Sequence, residues 1–312
     1  MQKRRLGTAG PEVSLVGLGA NNFGGRTDFE VSRRVVDSAL DLGITLIDTA
    51  DSYGNRGGSE EFLGRILGPR RKDIVLATKF GLPMDNTGKM KGASRRYAVE
   101  AVEASLRRLK TDWIDLYQVH FPDPATPIEE TLRALDDLIK SGKVRFIGCS
   151  NFSAAQLEKA LATSKQLALA SFITCQDEYS LLDRGVEKDR LAAMQRHGLK
   201  LLPYFPLASG LLTGKYQRNV PPPPGSRLAK QAGRANDYLN ERNFGIVEAL
   251  SHFAVQRGHT ILEVAMSWLA SRPYIASVIA GATKPEQVKA NISAIGWALS
   301  AAELAEIDRI TL

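Results

Sequence analysis

The strongest constraint on the fold is a regular alternation along the 312 residues of the chain. Short apolar, β-rich runs alternate with amphipathic helical patterns, which is typical of βα units built on a parallel sheet. Eight such runs occur, at residues 14–19, 45–48, 74–78, 114–120, 144–150, 172–178, 200–205 and 277–280. A (β/α)8 TIM barrel uses eight strands and about 250 residues. We therefore predict that residues 1–312 form a single α/β barrel domain with extra loops and a C-terminal helical segment.

Local signals agree with this alternation. The helical pattern at 128–141 is followed by Gly142, a residue suited to a C-cap. Ser153 is placed to cap a helix that runs through Leu161. A doubly wound open sheet uses the same alternation, but its first strand-to-helix turn should carry Gly-x-Gly-x-x-Gly. The first turn here is Gly17-Leu-Gly-Ala-Asn-Asn-Phe-Gly-Gly25, whose spacing does not fit, so the barrel is favoured.

Composition limits the function classes. The net charge of +7 and the pI near 9.4 invite a nucleic-acid interpretation. The basic pairs are dispersed among acidic residues, however, so we interpret the charge as a solvated surface. No apolar run is long enough to span a bilayer, and no signal-peptide core follows the basic start. We expect a soluble cytoplasmic protein that binds neither nucleic acid nor membrane; these patterns do not define its oligomeric state.

The two cysteines, Cys149 and Cys175, lie within strand runs. Neither has a second cysteine or a histidine at ligand spacing, so we predict buried thiols and no metal site.

Four titratable residues stand where apolar runs meet polar loops. Asp48 ends one run and Tyr53 follows it, Lys79 ends the next, and His120 ends the one after. Because a parallel barrel brings the C-terminal ends of all its strands to one face, these side chains should meet there. The placement predicts a catalytic site.

A phenol beside an ammonium can act as a general acid. Moving a tyrosine pKa from about 10 to about 7 requires roughly 4 kcal/mol. One ammonium about 4 Å away supplies roughly that much at an effective dielectric constant near 20. We therefore expect Lys79 to bring the pKa of Tyr53 close to neutrality.

These motifs resemble the aldo-keto reductase family, and the resemblance extends over essentially the whole chain. They are Gly43-Ile-Thr-Leu-Ile-Asp-Thr-Ala-Asp-Ser-Tyr-Gly54, Ala77-Thr-Lys-Phe80, Asp112-Trp-Ile-Asp-Leu-Tyr-Gln-Val-His120 and Gly142-Lys-Val-Arg-Phe-Ile-Gly-Cys-Ser-Asn-Phe152. The resemblance implies NADPH-dependent reduction of aldehydes and ketones to alcohols by hydride transfer. It makes Tyr53 the proton donor, Lys79 held by Asp48 its modulator, and His120 the residue that orients the substrate carbonyl.

The resemblance also implies contacts with the cofactor. Ser150, Asn151 and Gln176 match positions that hold the nicotinamide carboxamide, and Tyr204 matches the aromatic residue that stacks on the ring. Phe205 departs from the small polar residue expected there. The full set of implied cofactor contacts is Gly19, Asp48, Ser150, Asn151, Gln176, Tyr204, Pro206, Leu207, Ser209, Gly210, Leu211, Lys215, Gly281, Thr283, Lys284, Gln287 and Asn291.

The adenosine end of the cofactor would lie at residues 280–291. Many relatives carry a lysine, a serine and an arginine for the 2′-phosphate where this chain has Gly281, Ala282 and Gln287. Lys284 is the remaining cation. We expect NADPH and NADP⁺ as the cofactor pair, with NADH as the alternative.

The segment 218–240 is rich in proline and poor in apolar residues, and we predict a mobile lid or a partly disordered excursion. Within it, Arg227 is interpreted as a solvated arginine, with a pyrophosphate contact as the alternative. Phe23, Phe80 and Phe121 adjoin strand ends and are candidates for an apolar wall around a small carbonyl substrate, with core packing as the alternative.

Two other function classes stay open. A barrel fold does not guarantee turnover, so a nicotinamide-nucleotide-binding regulatory protein is one alternative. An isomerase or aldolase that uses Lys79 as a Schiff base is the other. Borohydride trapping of a lysine adduct without any nicotinamide requirement would identify the latter.

Overall fold

The structure is a computed structural model that describes residues 1–312, apart from the side chain of residue 232. Its strands are β1 (Lys3–Arg5), β2 (Glu12–Ser14), β3 (Val16–Gly19), β4 (Leu46–Asp48), β5 (Val75–Phe80), β6 (Ile114–Val119), β7 (Val144–Ser150), β8 (Phe172–Glu178), β9 (Lys200–Tyr204) and β10 (Val278–Gly281). The first two pair antiparallel, and the other eight form one parallel sheet in the order β10, β3, β4, β5, β6, β7, β8, β9. A bridge between Leu201 and Ile275 links its two edges. The predicted (β/α)8 barrel is confirmed.

Helices surround this barrel and cover its outer face. They are α1 (Phe29–Asp41), α2 (Tyr53–Ile66), α3 (Arg95–Leu109), α4 (Ile128–Lys140), α5 (Ala154–Gln166), α6 (Arg190–Arg196), α7 (Arg227–Lys230), α8 (Ala232–Tyr238), α9 (Glu241–Val255), α10 (Ile261–Ser271), α11 (Pro285–Ser293) and α12 (Ala301–Thr311). Ser153 caps α5 in a reciprocal capping box with Gln156, as its position predicts. Among the helices of the described residues, none combines the length and apolar character needed to cross a membrane.

The barrel interior is apolar toward the N-terminal ends of its strands and polar toward their C-terminal ends. Leu6 and Val13 of the N-terminal hairpin pack with Leu46, Leu116 and Leu202 from the barrel strands to form a buried cluster. Since alternate residues of a strand face the same side, Asp48 follows Leu46 inward and Gln118 follows Leu116. A layer of buried polar side chains therefore lies directly above an apolar plug, at the C-terminal face.

The segment 218–240, predicted as a mobile lid or a partly disordered excursion, contains two short helices, α7 and α8. Leu228 of α7 is fully buried, and its backbone N–H donates to the Tyr216 hydroxyl at 3.4 Å. The Tyr238 hydroxyl bonds Glu178 at the end of β8. The sequence shows few apolar residues here, but one leucine and one tyrosine suffice to anchor the segment over the barrel mouth.

Candidate active site

The four residues predicted to meet at the C-terminal face do meet there. Lys79 is completely buried, and its Nζ donates to Asp48 Oδ2 at 2.6 Å and to the Thr49 carbonyl at 2.9 Å. The same Nζ lies 3.4 Å from the Tyr53 hydroxyl. The imidazole of His120 packs edge-on against the Tyr53 ring, with centroids 5.7 Å apart. One ammonium therefore joins a carboxylate to a phenol, with an imidazole alongside.

A left-handed turn after Tyr53 sets the position of the phenol. Residues 54–57 all have positive φ, so α2 opens with a left-handed turn that a kink separates from its right-handed part. A Cβ on Gly54 would lie 2.4 Å from the Phe23 carbonyl oxygen, so only glycine fits there. The turn packs tightly against the loop after β3 and so fixes the start of α2.

Burial is the largest single influence on the pKa values of Lys79 and Tyr53. It lowers the pKa of Lys79, but the interactions with Asp48 and Tyr53 together outweigh it and the net pKa is raised. Burial raises the pKa of Tyr53 above its ordinary value, and the lowering effect of Lys79 does not overcome it. The expectation that Lys79 brings this pKa near neutrality is therefore wrong for this structure. It omitted desolvation of the phenolate and the opposing charge of Asp48.

The imidazole of His120 is neutral at physiological pH. Burial and, to a smaller extent, the positive charge of Lys79 lower its pKa to about 3. Its Nδ1 is buried and has no hydrogen-bond partner among the described residues. A neutral ring can donate one hydrogen bond and accept another, so His120 can orient a polar group without adding charge.

The second oxygen of Asp48 carries an arrangement that the sequence reasoning missed. Gln176 Nε2 donates to Asp48 Oδ1 at 2.9 Å, and Gln118 Nε2 donates to the same oxygen at 3.3 Å. Gln118 stands two residues before His120, so strand alternation places both side chains on the inner face of β6. The two-residue spacing between Gln118 and His120 was therefore the sequence signal from which the inward position of Gln118 could have been predicted.

A cavity of about 580 Å³ opens above these residues, within the usual range for small-ligand sites. Asp48, Tyr53 and His120 line it, while Lys79 lies behind them. All predicted cofactor contacts except Leu211 and Lys284 line it too. Leu211 is fully buried in the hydrophobic core, and Lys284 is exposed at the start of α11. The structure does not bring these two residues to the cavity.

The segment after β9 provides an anion cradle at one side of the cavity. Ala208, Ser209 and Gly210 all have positive φ, and the N–H groups of Ala208 and Gly210 donate to the carbonyls of Phe205 and Leu207 at 2.8 Å, which closes the turn. The Ser209 hydroxyl oxygen is buried and has no partner among the described residues. A Cβ on Gly210 would lie 2.6 Å from Lys215 Nζ, so glycine permits that ammonium to approach. These features suit a phosphate group.

Three arginines also line the cavity, namely Arg26, Arg227 and Arg234. The sequence reasoning named only Arg227 among them, with a site role as the alternative to a solvated side chain. Arg227 Nη2 donates to the side-chain oxygens of Asn22 at 2.9 Å and Asn21 at 3.3 Å. Burial, followed by the charges of Arg26 and Arg234, lowers the pKa of Arg227 to about 10. Arg227 is thus not the solvated arginine that we expected. Mutual repulsion of three guanidinium groups favours a bound anion.

The aromatic residues divide between core and cavity. Phe23 and Phe80 are completely buried and do not line the cavity, so the prediction of an apolar wall is wrong for both. Phe80 stacks on Tyr117 at 4.7 Å between centroids, because Lys79 takes the inward position and leaves Phe80 facing outward. Phe121 does line the cavity and is 45% exposed. Tyr204 donates its hydroxyl to Asn151 Oδ1 at 2.8 Å, which fixes its ring at the cavity wall.

Comparisons with known proteins agree with this geometry. The model of the Aldo/keto reductase family matches residues 15–311. The chain is 38% identical to a probable voltage-gated potassium channel subunit beta of Arabidopsis thaliana, covering 95% of this chain and 91% of the relative. It is 37% identical to the aldo-keto reductase YhdN of Bacillus subtilis, covering 99% and 93%. It is 34% identical to the L-glyceraldehyde 3-phosphate reductase of Escherichia coli K12, covering 99% and 92%.

A parallel barrel with a buried acid–base array at its C-terminal face defines the chain as a barrel enzyme. With the family match over nearly its whole length, the chain belongs to the aldo/keto reductase family. It is an NAD(P)H-dependent oxidoreductase that acts on carbonyl compounds.

Proposed function

We propose that this protein reduces aldehydes or ketones to alcohols with NADPH, and that Tyr53 is the general acid. The observation that carries the proposal is the buried array of Asp48, Lys79 and Tyr53 beside a neutral His120, at the base of a cavity with an anion cradle. When bound, the reduced nicotinamide supplies the hydride. The protein supplies the proton and holds the developing negative oxygen.

The raised pKa of Tyr53 is consistent with this role. A proton donor must hold its proton until the substrate needs it, and burial keeps the phenol protonated through neutral pH. Once the proton has left, the phenolate faces the Lys79 ammonium 3.4 Å away. Asp48 keeps that ammonium charged and in place. Lys79 therefore acts after proton transfer by stabilising the phenolate.

His120 orients the carbonyl oxygen in this proposal. A neutral imidazole adds no positive charge to a site that already holds a buried ammonium, so the pKa of about 3 favours a hydrogen-bonding role. Donors fixed in a dry cavity stabilise a negative oxygen more effectively than water does. Phe121 stacks on His120 at 5.5 Å between centroids and shields the ring from one side.

The residues present fit a nicotinamide dinucleotide. Ser150, Asn151 and Gln176 would hold the carboxamide, and Tyr204 would stack on the ring. The cradle at 208–210 with Lys215 would bind phosphate. Arg227 would be a further phosphate ligand, because its guanidinium is half-buried and lies beside Asn22, which donates to the Ala282 carbonyl at 3.2 Å. That position near the adenosine end favours NADPH over NADH, in place of the outlying Lys284.

The test is loss of absorbance at the nicotinamide band, with NADPH and NADH separately, against a panel of aldehydes and ketones. We expect turnover with NADPH to exceed turnover with NADH at equal concentration. Equal turnover with both would reject the NADPH preference. Binding of NADPH with no turnover of any panel member would reject the reductase assignment.

A second candidate is a regulatory protein that binds the nicotinamide nucleotide with little turnover. It is favoured by the relatives named as potassium channel subunits, at 38% and 37% identity. The absence of turnover in the panel, together with tight NADPH binding, would support it. Phosphorylated aldehydes belong in that panel, because the Escherichia coli relative is named for such a substrate.

A further inference from the structure

Asp48 connects two parts of the site through its two oxygens. Oδ2 accepts from Lys79 at 2.6 Å, on the side of the proton donor. Oδ1 accepts from Gln176 at 2.9 Å and from Gln118 at 3.3 Å. A carboxylate offers acceptors only, so each amide must turn its nitrogen toward Oδ1. Asp48 therefore determines which end of the Gln176 amide, the nitrogen or the oxygen, faces away from the carboxylate.

The other end of the Gln176 amide is its side-chain oxygen. The amide is planar, so with Nε2 directed at Asp48 the oxygen is directed away from that residue. It accepts no hydrogen bond within the described residues, and Gln176 lines the cavity. The site thus presents an acceptor oxygen at this point. Such an oxygen matches an N–H group and leaves a methyl group without a partner.

Gln118 differs from Gln176 because it is completely buried and does not line the cavity. Its neighbour on β7 is Gly148, and a Cβ there would lie 3.2 Å from Gln118 Cγ. The side chain is therefore closely packed. Its own Oε1 is buried without a partner among the described residues. A buried oxygen without a partner destabilises the fold, and the hydrogen bond that the Gln118 side chain does make is the one to Asp48.

We propose that Gln118 is a positioning residue for cofactor recognition: by holding Asp48 Oδ1, it fixes the Gln176 amide with its oxygen toward the cavity. This inference rests on the proposed function, in which Gln176 contacts the nicotinamide carboxamide. Gln118 then controls a contact that it does not make itself. Removing it leaves Oδ1 with one donor, so that the carboxylate and the Gln176 amide are both less well fixed.

The test compares two ligands that differ only at this group. NADP⁺ carries a carboxamide, and its 3-acetylpyridine analogue carries a methyl ketone in the same place. We expect the unmodified protein to bind NADP⁺ about tenfold more tightly than the analogue, the size of one unsatisfied hydrogen bond. We define the ratio as the dissociation constant of the analogue divided by that of NADP⁺, both measured by protein fluorescence. This ratio reports the Gln176 contact. A general loss of stability would weaken both ligands and leave the ratio unchanged.

Four variants complete the experiment. Gln176→Met should bring the ratio close to one. Gln118→Met should lower it at least threefold, and adding Gln118→Met to Gln176→Met should change nothing further. Thr174→Val is the matched control: Thr174 Oγ1 is buried near Gly148 and makes no hydrogen bond to Asp48 or to any other described residue. That variant should keep the ratio of the unmodified protein.

The outcomes separate this inference from the proposed function. If NADP⁺ does not bind, or if Gln176→Met leaves the ratio unchanged, the assignment of the cofactor site fails. If Gln176→Met abolishes the ratio but Gln118→Met leaves it intact, the role of Gln118 is overturned. If Gln118→Met does not fold, Gln118→Leu is the second variant, since it also removes the donor to Asp48 Oδ1. It too should lower the ratio at least threefold, and a folded Gln118→Leu that keeps the ratio of the unmodified protein would overturn the inference.

Discussion

Replacing Tyr53 by phenylalanine removes the proposed acid and little else. The only hydrogen bond of the Tyr53 hydroxyl within the described residues is the 3.4 Å contact with Lys79. A bond that long contributes at most about 1 kcal/mol to folding. The ring stays, so its packing against His120 is kept. We therefore expect Tyr53→Phe to fold with nearly unchanged stability and to bind NADPH with nearly unchanged affinity.

The effect on turnover should be far larger. General acid catalysis contributes about 10²- to 10⁴-fold, which corresponds to roughly 3–5 kcal/mol of barrier. We expect kcat for carbonyl reduction to fall about 10³-fold, measured by absorbance loss at saturating NADPH. Tyr97→Phe is the matched control, because Tyr97 is a buried tyrosine of α3 outside the cavity. A kcat for Tyr53→Phe within tenfold of the unmodified protein would refute Tyr53 as the donor.

Three further predictions concern the charges of the site. Lys79→Met leaves Asp48 buried without its cation and should lower the free energy of unfolding by about 3–5 kcal/mol, measured by urea denaturation; a change below 1 kcal/mol would contradict the buried pair. His120 has a pKa of about 3 when folded and about 6.5 when unfolded, so only the unfolded chain gains its proton between these values. Stability should therefore fall between pH 6.5 and pH 5 by roughly 2 kcal/mol more in the unmodified protein than in His120→Phe, and parallel pH profiles would contradict this. Arg227→Ala should weaken NADPH about tenfold by removing a charge-assisted phosphate contact, whereas Arg33→Ala on exposed α1 should not change the dissociation constant.

Strand periodicity determined most of what could be predicted. The alternation of apolar runs and helices identified the barrel, and the rule that strand ends share one face brought Asp48, Lys79 and His120 together. The same two-residue periodicity also contained the information that was missed. It places Gln118 inward with His120, and it turns Phe80 outward because Lys79 faces inward. The two-residue alternation along a strand therefore predicted the direction of a side chain better than its position next to a strand end did.

Two features could not be derived from pattern. The pKa of Tyr53 depends on how completely the site is desolvated, which only the packing of the loop after β3 reveals. The positions of Arg26, Arg227 and Arg234 depend on the path of the loop after β3 and on the placement of the short helices α7 and α8, whose sequences carry no clear periodic signal. Long-range contacts such as Arg227 with Asn21 and Asn22 join residues about 200 positions apart in sequence.

Phe205 shows how such loop contacts alter the meaning of a sequence departure. It stands directly after β9, where the family resemblance leads one to expect a small polar residue, and it has φ of 50°. A left-handed conformation costs a non-glycine residue about 1–2 kcal/mol. Its ring, however, lies 4.2 Å from the Arg234 guanidinium carbon and 5.4 Å from that of Arg227. Two cation–π contacts, at about 0.5–1 kcal/mol each, offset that strain. The aromatic ring therefore provides a surface on which the guanidinium groups of Arg227 and Arg234 stack at the cavity wall. Phe205 itself binds no phosphate, but it holds in place two positive charges that can bind one.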